Sequence, residues 1–184
     1  HIRIAVRRPK DLADGEYRSH LVFEAQPDKR AMAIKQEGAT GIKLYVNLAF
    51  SIPIMVRQGN LESTTTLKKV ALIPNKTNGK IHLSANITIN RAGLHSTFGN
   101  LNVYWKDANS STEKQIGILN NIAIYTEVDN RKINLSLPEH STKQGTLRVV
   151  YKGIKEYDGI TFVDQKLSIK TSDYHPMATN LVTQ

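Results

Sequence analysis

The chain contains no cysteine, which excludes disulfides, thiolate catalysis and cysteine metal sites and leaves the redox compartment unread. Its apolar runs are short. The longest uncharged apolar runs, such as residues 44–56, fall well below the roughly 20 residues that a membrane-spanning helix needs, so no membrane-embedded segment is expected. Histidines are scattered: His1, His20, His82, His95, His140 and His175 include no pair two or four residues apart, so no metal site is expected. No nucleophile elbow, H-E-x-x-H, G-x-G-x-x-G or P-loop sequence occurs. Neither an enzyme nor a cofactor is expected from residues that offer no such site. The fragment around Ser96 does carry a neighbouring His95 between Gly93 and Gly99. Adjacent side chains on a strand point to opposite faces, so the two cannot serve as base and nucleophile there. A glycine-rich connection between strands is the expectation.

Charge of one sign is in excess without being concentrated. The net charge is +9, with ten basic against six acidic residues in 1–60 and fifteen against ten in 61–184. Only short clusters occur, such as Arg7-Arg8, Lys68-Lys69 and Arg131-Lys132, with no interleaved aromatic platform. A solvated basic surface is expected, and no nucleic-acid partner. A basic nucleic-acid-binding β-domain is the rival, and it would show steep salt dependence of oligonucleotide binding. Four N-glycosylation sequons, at Asn75, Asn86, Asn109 and Asn134, are read as incidental, since the pattern is short enough to recur by chance.

A sustained 3.6-residue apolar pattern is also missing, and period-2 alternation takes its place. Ile2, Ile4 and Val6 alternate until Pro9, which predicts a strand that the proline stops. After the turn signal Asp14-Gly15, Tyr17, Ser19, Leu21 and Phe23 share one face of a second strand ending before Pro27. Residues 27–41 read as a loop, and a third strand is predicted over 42–57. Residues 58–66 (QGNLESTTT) have the profile of a linker. Seven more strands are predicted beyond it, over 67–73, 80–90, 101–106, 115–125, 132–137, 146–153 and 162–169, separated by turn signals. The tail from Thr171 is expected to fray.

The expectation is an all-β chain of two immunoglobulin-like antiparallel β-sandwich domains, the first incomplete. Residues 1–60 hold the last strands of the first domain, 61–173 the whole of the second, and 174–184 a flexible tail. Three strands are too few to bury a sandwich core. The opening His1-Ile-Arg-Ile-Ala-Val, already inside an alternating pattern, is what a truncated first domain would present.

Within the third strand, Ile42, Leu44, Val46, Leu48, Phe50, Ile52 and Ile54 fall on one parity. A strand this long and apolar is suited to β-augmentation, in which backbone hydrogen bonds give affinity and alternate side chains fill a partner's pockets. An apolar edge left open is otherwise an aggregation liability.

Arg8-Pro9-x-Asp11-Leu12-x-x-Gly15-Glu16-Tyr17-Arg18-Ser19-His20-Leu21, followed by Pro27, resembles the end of the first domain in the PapD-like periplasmic pilus chaperones. Ser51-Ile-Pro-Ile-Met-Val-Arg57 resembles the close of that domain's last strand. Arg91-x-Gly93-x-x-Ser96-x-x-Gly99 and Ile122-Ala-Ile-Tyr-Thr-Glu127 with Arg131 resemble second domains in a divergent branch of that family. The resemblance implies a periplasmic chaperone that lends its strand to a pilus subunit and delivers the subunit to an outer-membrane usher. It implies Ile42, Leu44, Val46, Leu48 and Phe50 as donor residues, and an interdomain ion pair of Glu16 and Arg57 joined by Glu156 or Asp158. The family anchors a subunit carboxylate with a lysine where this chain has Pro53, so no anchor residue is assigned. The alternative is a structural pilin or adhesin module that exchanges strands between identical chains. Either way, self-association through exposed strands is expected as a route to completing the first sheet.

Overall fold

Alternation becomes sheet through most of the described residues, which in the computed structural model are 1, 3–26, 47–60, 62–77, 80–137 and 144–174. They fall into two units, His1–Gly59 and Asn60–Gln184.

The described residues of the larger unit carry seven antiparallel strands: β3 (Ser63–Thr77), β4 (Lys80–Gly93), β5 (Thr97–Asp107), β6 (Lys114–Ile124), β7 (Asn130–Leu137), β8 (Gly145–Gly153) and β9 (Thr161–Ile169). A three-stranded sheet in the order β3-β4-β7 faces a four-stranded sheet in the order β6-β5-β8-β9, a β-sandwich arrangement. The inward parity supplies the core: Leu83, Ala85, Ile87 and Ile89 from β4, Leu101, Val103 and Trp105 from β5, and Leu147, Val149 and Tyr151 from β8. Each large aliphatic side chain there contributes about 1.5–3 kcal/mol by leaving water. The sheets meet along two seams, β6 beside β7 and β3 beside β9. Gly117 permits the first, because a Cβ on it would lie 2.8 Å from the Cδ2 atoms of Leu135 and Leu137.

Several boundaries differ from the sequence expectation: β4 runs to Gly93 and β5 begins at Thr97, leaving only residues 94–96 of the expected glycine-rich connection outside strands. The predicted linker loses both its ends to strands, since Gln58 closes β2 (Ala49–Gln58) and β3 begins at Ser63. The Thr64-Thr65-Thr66 run is β-branched and favours a pleated surface over a loop, and Thr65 Oγ1 donates to the Phe162 carbonyl at 2.6 Å. The tail is ordered further than expected: Thr171–Asp173 forms a 3-10 turn, and Tyr174 then bridges in parallel to Leu72. Residues after 174 lie outside the described set.

Buried polar groups at one end of the sandwich are tied to backbone carbonyls. Arg91 is 6% exposed, and its guanidinium donates to the carbonyls of Gly93 (2.7 Å), His95 (3.2 Å) and Thr126 (3.2 Å). His95, wholly enclosed between β4 and β5, accepts the Glu62 N–H at Nδ1 (3.1 Å), so its proton sits on Nε2. His95 thus holds the entry to β3. The phenol of Tyr157 donates to the Ser96 carbonyl. The Tyr151 hydroxyl contacts the Ile122 carbonyl (2.9 Å) and Thr97 Oγ1 (3.2 Å).

Burial pushes the Tyr151 phenol up to about 12. An unfolded tyrosine ionises near pH 10, so the stability gained by keeping Tyr151 neutral is fully present below that value and lost as pH rises through about 12. Tyr151→Phe is expected to flatten this alkaline limb. It should also cost about 1–3 kcal/mol at neutral pH by stranding a buried carbonyl. Denaturant unfolding at pH 8 and pH 11 checks both; an unchanged alkaline limb would refute the assignment.

Among its described residues the smaller unit has two strands, β1 (Gly15–Glu24) and β2, in a single antiparallel ladder. The first predicted strand is absent among the described residues 3–9. Alternation gives a segment two faces, but a strand also requires a hydrogen-bonding partner, and no described strand pairs with it. Of the third predicted strand, only the part from Asn47 onward lies within the described residues. Its described part enters the ladder at Ala49, while Ile42, Leu44 and Val46 lie outside the described residues.

Candidate functional site

The β1–β2 register brings two apolar parities onto one face. Tyr17 stands opposite Val56, Ser19 opposite Ile54, Leu21 opposite Ile52, and Phe23 opposite Phe50. Directly opposed residues point the same way, so seven of these eight side chains form a continuous apolar strip. Leu48 extends it just before β2, where its carbonyl accepts the Ala25 N–H at 2.9 Å. The strip is uncovered at its far end: Leu48 is 60% and Phe50 67% exposed, and Ile52 is 49% exposed.

The opposite face is mixed. It pairs Glu16 with Arg57, Arg18 with Met55, His20 with Pro53, Val22 with Ser51 and Glu24 with Ala49. At its base the Glu16 side chain is fully buried and accepts a hydrogen bond from Arg57 Nε at 2.8 Å, with the arginine side chain 20% exposed. Arg8 donates to Gln58 Oε1 (2.6 Å) and the Tyr17 hydroxyl to the Ala13 carbonyl (2.9 Å), so residues 8–14 strap the ribbon's base. Gly59 ends β2 with φ +81°, and a Cβ there would run into the Asp14 carboxylate, so the close requires glycine.

Hydrogen-bonded and non-bonded pairs alternate along an antiparallel ladder. The Ala25–Leu48 bond makes that pair a bonded one, so the backbone groups of residues 49, 51, 53 and 55 face away from β1. No described strand pairs with that edge. Pro53 therefore leaves the β1–β2 ladder intact and removes a donor from the outer edge. Pro53 interrupts the row of outward N–H groups between Ser51 and Met55, and the stretch before it carries Leu48 and Phe50.

Of the ion-pair residues, Glu16 and Arg57 meet within the smaller unit. Glu156 and Asp158 lie in the larger unit, both exposed, in and just after the 3-10 turn Lys155–Tyr157. Asp158 Oδ1 accepts the Gly159 N–H at 3.0 Å. Sequence parity identified each apolar face of the ribbon separately, but the register that merges them is visible only in the fold. Among the described residues no three His, Asp or Glu side chains group as metal ligands would.

No family model matches the chain, and neither a curated protein nor a solved structure matches it.

Proposed function

We propose that the chain is a periplasmic chaperone of the PapD-like type, which binds pilus or fimbrial subunits by donor-strand complementation and passes them to an outer-membrane usher. The observation that carries the proposal is the β1–β2 ribbon: an apolar strip led by Leu48 and Phe50, beside an outer edge that no described strand pairs with. Such an edge gives a partner strand main-chain hydrogen bonds, and the alternate side chains supply the apolar contacts. Leu48 and Phe50 act as donor residues within the described stretch, with Ile42, Leu44 and Val46 continuing the parity in sequence. Pro53 marks the end of regular pairing.

The larger unit supports an immunoglobulin-like assignment. Its strands correspond in order to A, B and E in one sheet, and to C, C′, F and G in the other, with β6 as C′. The smaller unit then supplies the last strands of a first domain of the same kind. Glu16–Arg57 fixes the base of the donor ribbon.

The test is capture of a pilin-type subunit lacking its final strand. Co-expression should give a complex with one copy of each chain. Subunit recovered alone, or polymers of this chain without subunit, would overturn the proposal; the polymers would favour strand exchange between identical modules.

A further inference from the structure

The second seam of the sandwich is open in its middle. β3 and β9 are the edges of their sheets and run side by side. The Thr65–Phe162 hydrogen bond closes the seam at one end. The 3-10 turn Thr171–Asp173 and the Leu72–Tyr174 bridge close it at the other. Between them lies a groove of about 500 Å³. Leu72 and Ile169 reach it from the core, and the partly buried Leu67, Val70 and Leu167 form its sides. A β-bulge between Leu67 and Lys69 leaves Lys68 and Lys69 both exposed at the rim.

We infer that this groove takes a short extended peptide with alternating apolar and acidic side chains, added as a strand along the outer edge of β3. The edge already pairs with extended chain at one point, since Tyr174 bridges to Leu72 in parallel. Six residues of β3 separate Thr65 from Leu72, a span of about 20 Å at roughly 3.3 Å per residue. That sets the length of the occupant at five or six residues. The volume falls within the range of about 300–1,000 Å³ usual for specific pockets. Apolar side chains of the peptide would meet Leu67, Val70 and Leu167, and its carboxylates would meet the paired lysines. Two occupants from this chain itself fit the charge poorly: neither β2 (AFSIPIMVRQ) nor residues 175–184 (HPMATNLVTQ) contains an acid. A different protein supplies the peptide.

The inference does not depend on the donor-strand proposal, and the same experiment separates the two. The probe is a fluorescein-labelled, amidated Val-Glu-Val-Glu-Val-Thr peptide, read by anisotropy against the full chain. Saturable binding is expected, weakened at least tenfold by Lys68→Glu with Lys69→Glu and weakened again by raising salt. A block-sequence peptide of the same composition (Val-Val-Val-Glu-Glu-Thr) should bind at least tenfold more weakly, and Leu48→Asp with Phe50→Asp should leave the affinity unchanged. Both lysines are exposed, so the charge reversal should leave the circular dichroism spectrum intact; Leu167→Gln provides a second, charge-neutral perturbation and should weaken binding several-fold. Several results would overturn the inference: no binding at millimolar peptide, affinity indifferent to the lysines, equal binding of the block-sequence peptide, loss through positions 48 and 50 instead, or displacement by palmitate, which would mark a lipid groove. A concentration-dependent dimer abolished by the lysine changes would assign the groove to a second copy and would likewise overturn it.

Discussion

Leu48→Asp combined with Phe50→Asp is expected to weaken capture of a strand-deficient pilus subunit by at least about a hundredfold while the larger unit stays folded. Fully burying a Leu or Phe side chain in a partner's pocket is worth about 1.5–3 kcal/mol each. Losing both therefore removes about 3–6 kcal/mol, or two to four decades in affinity, before the cost of desolvating two carboxylates is added. Both positions are largely exposed in the chain itself. The substitutions should thus cost the chain no more than about 1 kcal/mol of its own stability, mostly through strand propensity.

The parity of the ribbon makes the test specific. Ser51 and Met55 lie on the opposite face of the same strand and are also exposed. Ser51→Asp and Met55→Asp introduce the same charge into the same segment and should change capture less than threefold. Calorimetric titration of subunit into each variant distinguishes the cases. Equal losses from both faces would mean that charge on the strand, rather than insertion of one face, controls binding. No loss from positions 48 and 50 would remove the donor-strand mechanism.

Much of the fold was legible because a two-sheet sandwich needs alternation, and alternation is a property of local sequence. The seven strands of the larger unit follow their apolar parities, from Leu83-Ala85-Ile87-Ile89 to Leu147-Val149-Tyr151. What local sequence cannot carry is the partner. Ile2, Ile4 and Val6 alternate as well as any strand in the chain, yet the described residues 3–9 join no ladder. Conversely, Tyr174 follows a polar turn with no pattern to announce it, and pairs because the fold brings it to Leu72. The candidate site divides the same way. The parities of Tyr17, Leu21 and Phe23 and of Phe50, Ile52 and Ile54 were each visible, but their merger into one strip depends on a register summed over a long connection. The Lys68-Lys69 pair was legible only as a basic dipeptide. Its place at the rim of a groove comes from a bulge that no residue of that stretch signals.

Arg57→Ala is the second large effect expected, and it falls on stability. The Glu16 side chain is fully buried, and Arg57 Nε donates to its carboxylate at 2.8 Å. Removing the arginine takes that cation from a buried carboxylate, which costs about 3–5 kcal/mol where such pairs have been broken. A two-stranded ribbon has little stability to spare, so the loss should appear as fast hydrogen exchange through β1 and β2 while β4, β5 and β8 keep their protection. Arg57→Lys keeps the charge but not the geometry of the guanidinium, and should fall between the two. Replacing both partners by apolar residues of similar size, Glu16→Leu with Arg57→Met, should bring stability back to within about 1 kcal/mol of the parent. That double variant also separates the pair's two possible contributions. If capture returns along with stability, the pair serves only to compensate a buried charge. If stability returns and capture does not, the ion pair specifies the ribbon's geometry, the role assigned to it under the proposed function. An Arg57→Ala cost below about 1 kcal/mol, measured by exchange of the β1 amides, would contradict both contributions and place the Glu16 charge in the care of other groups.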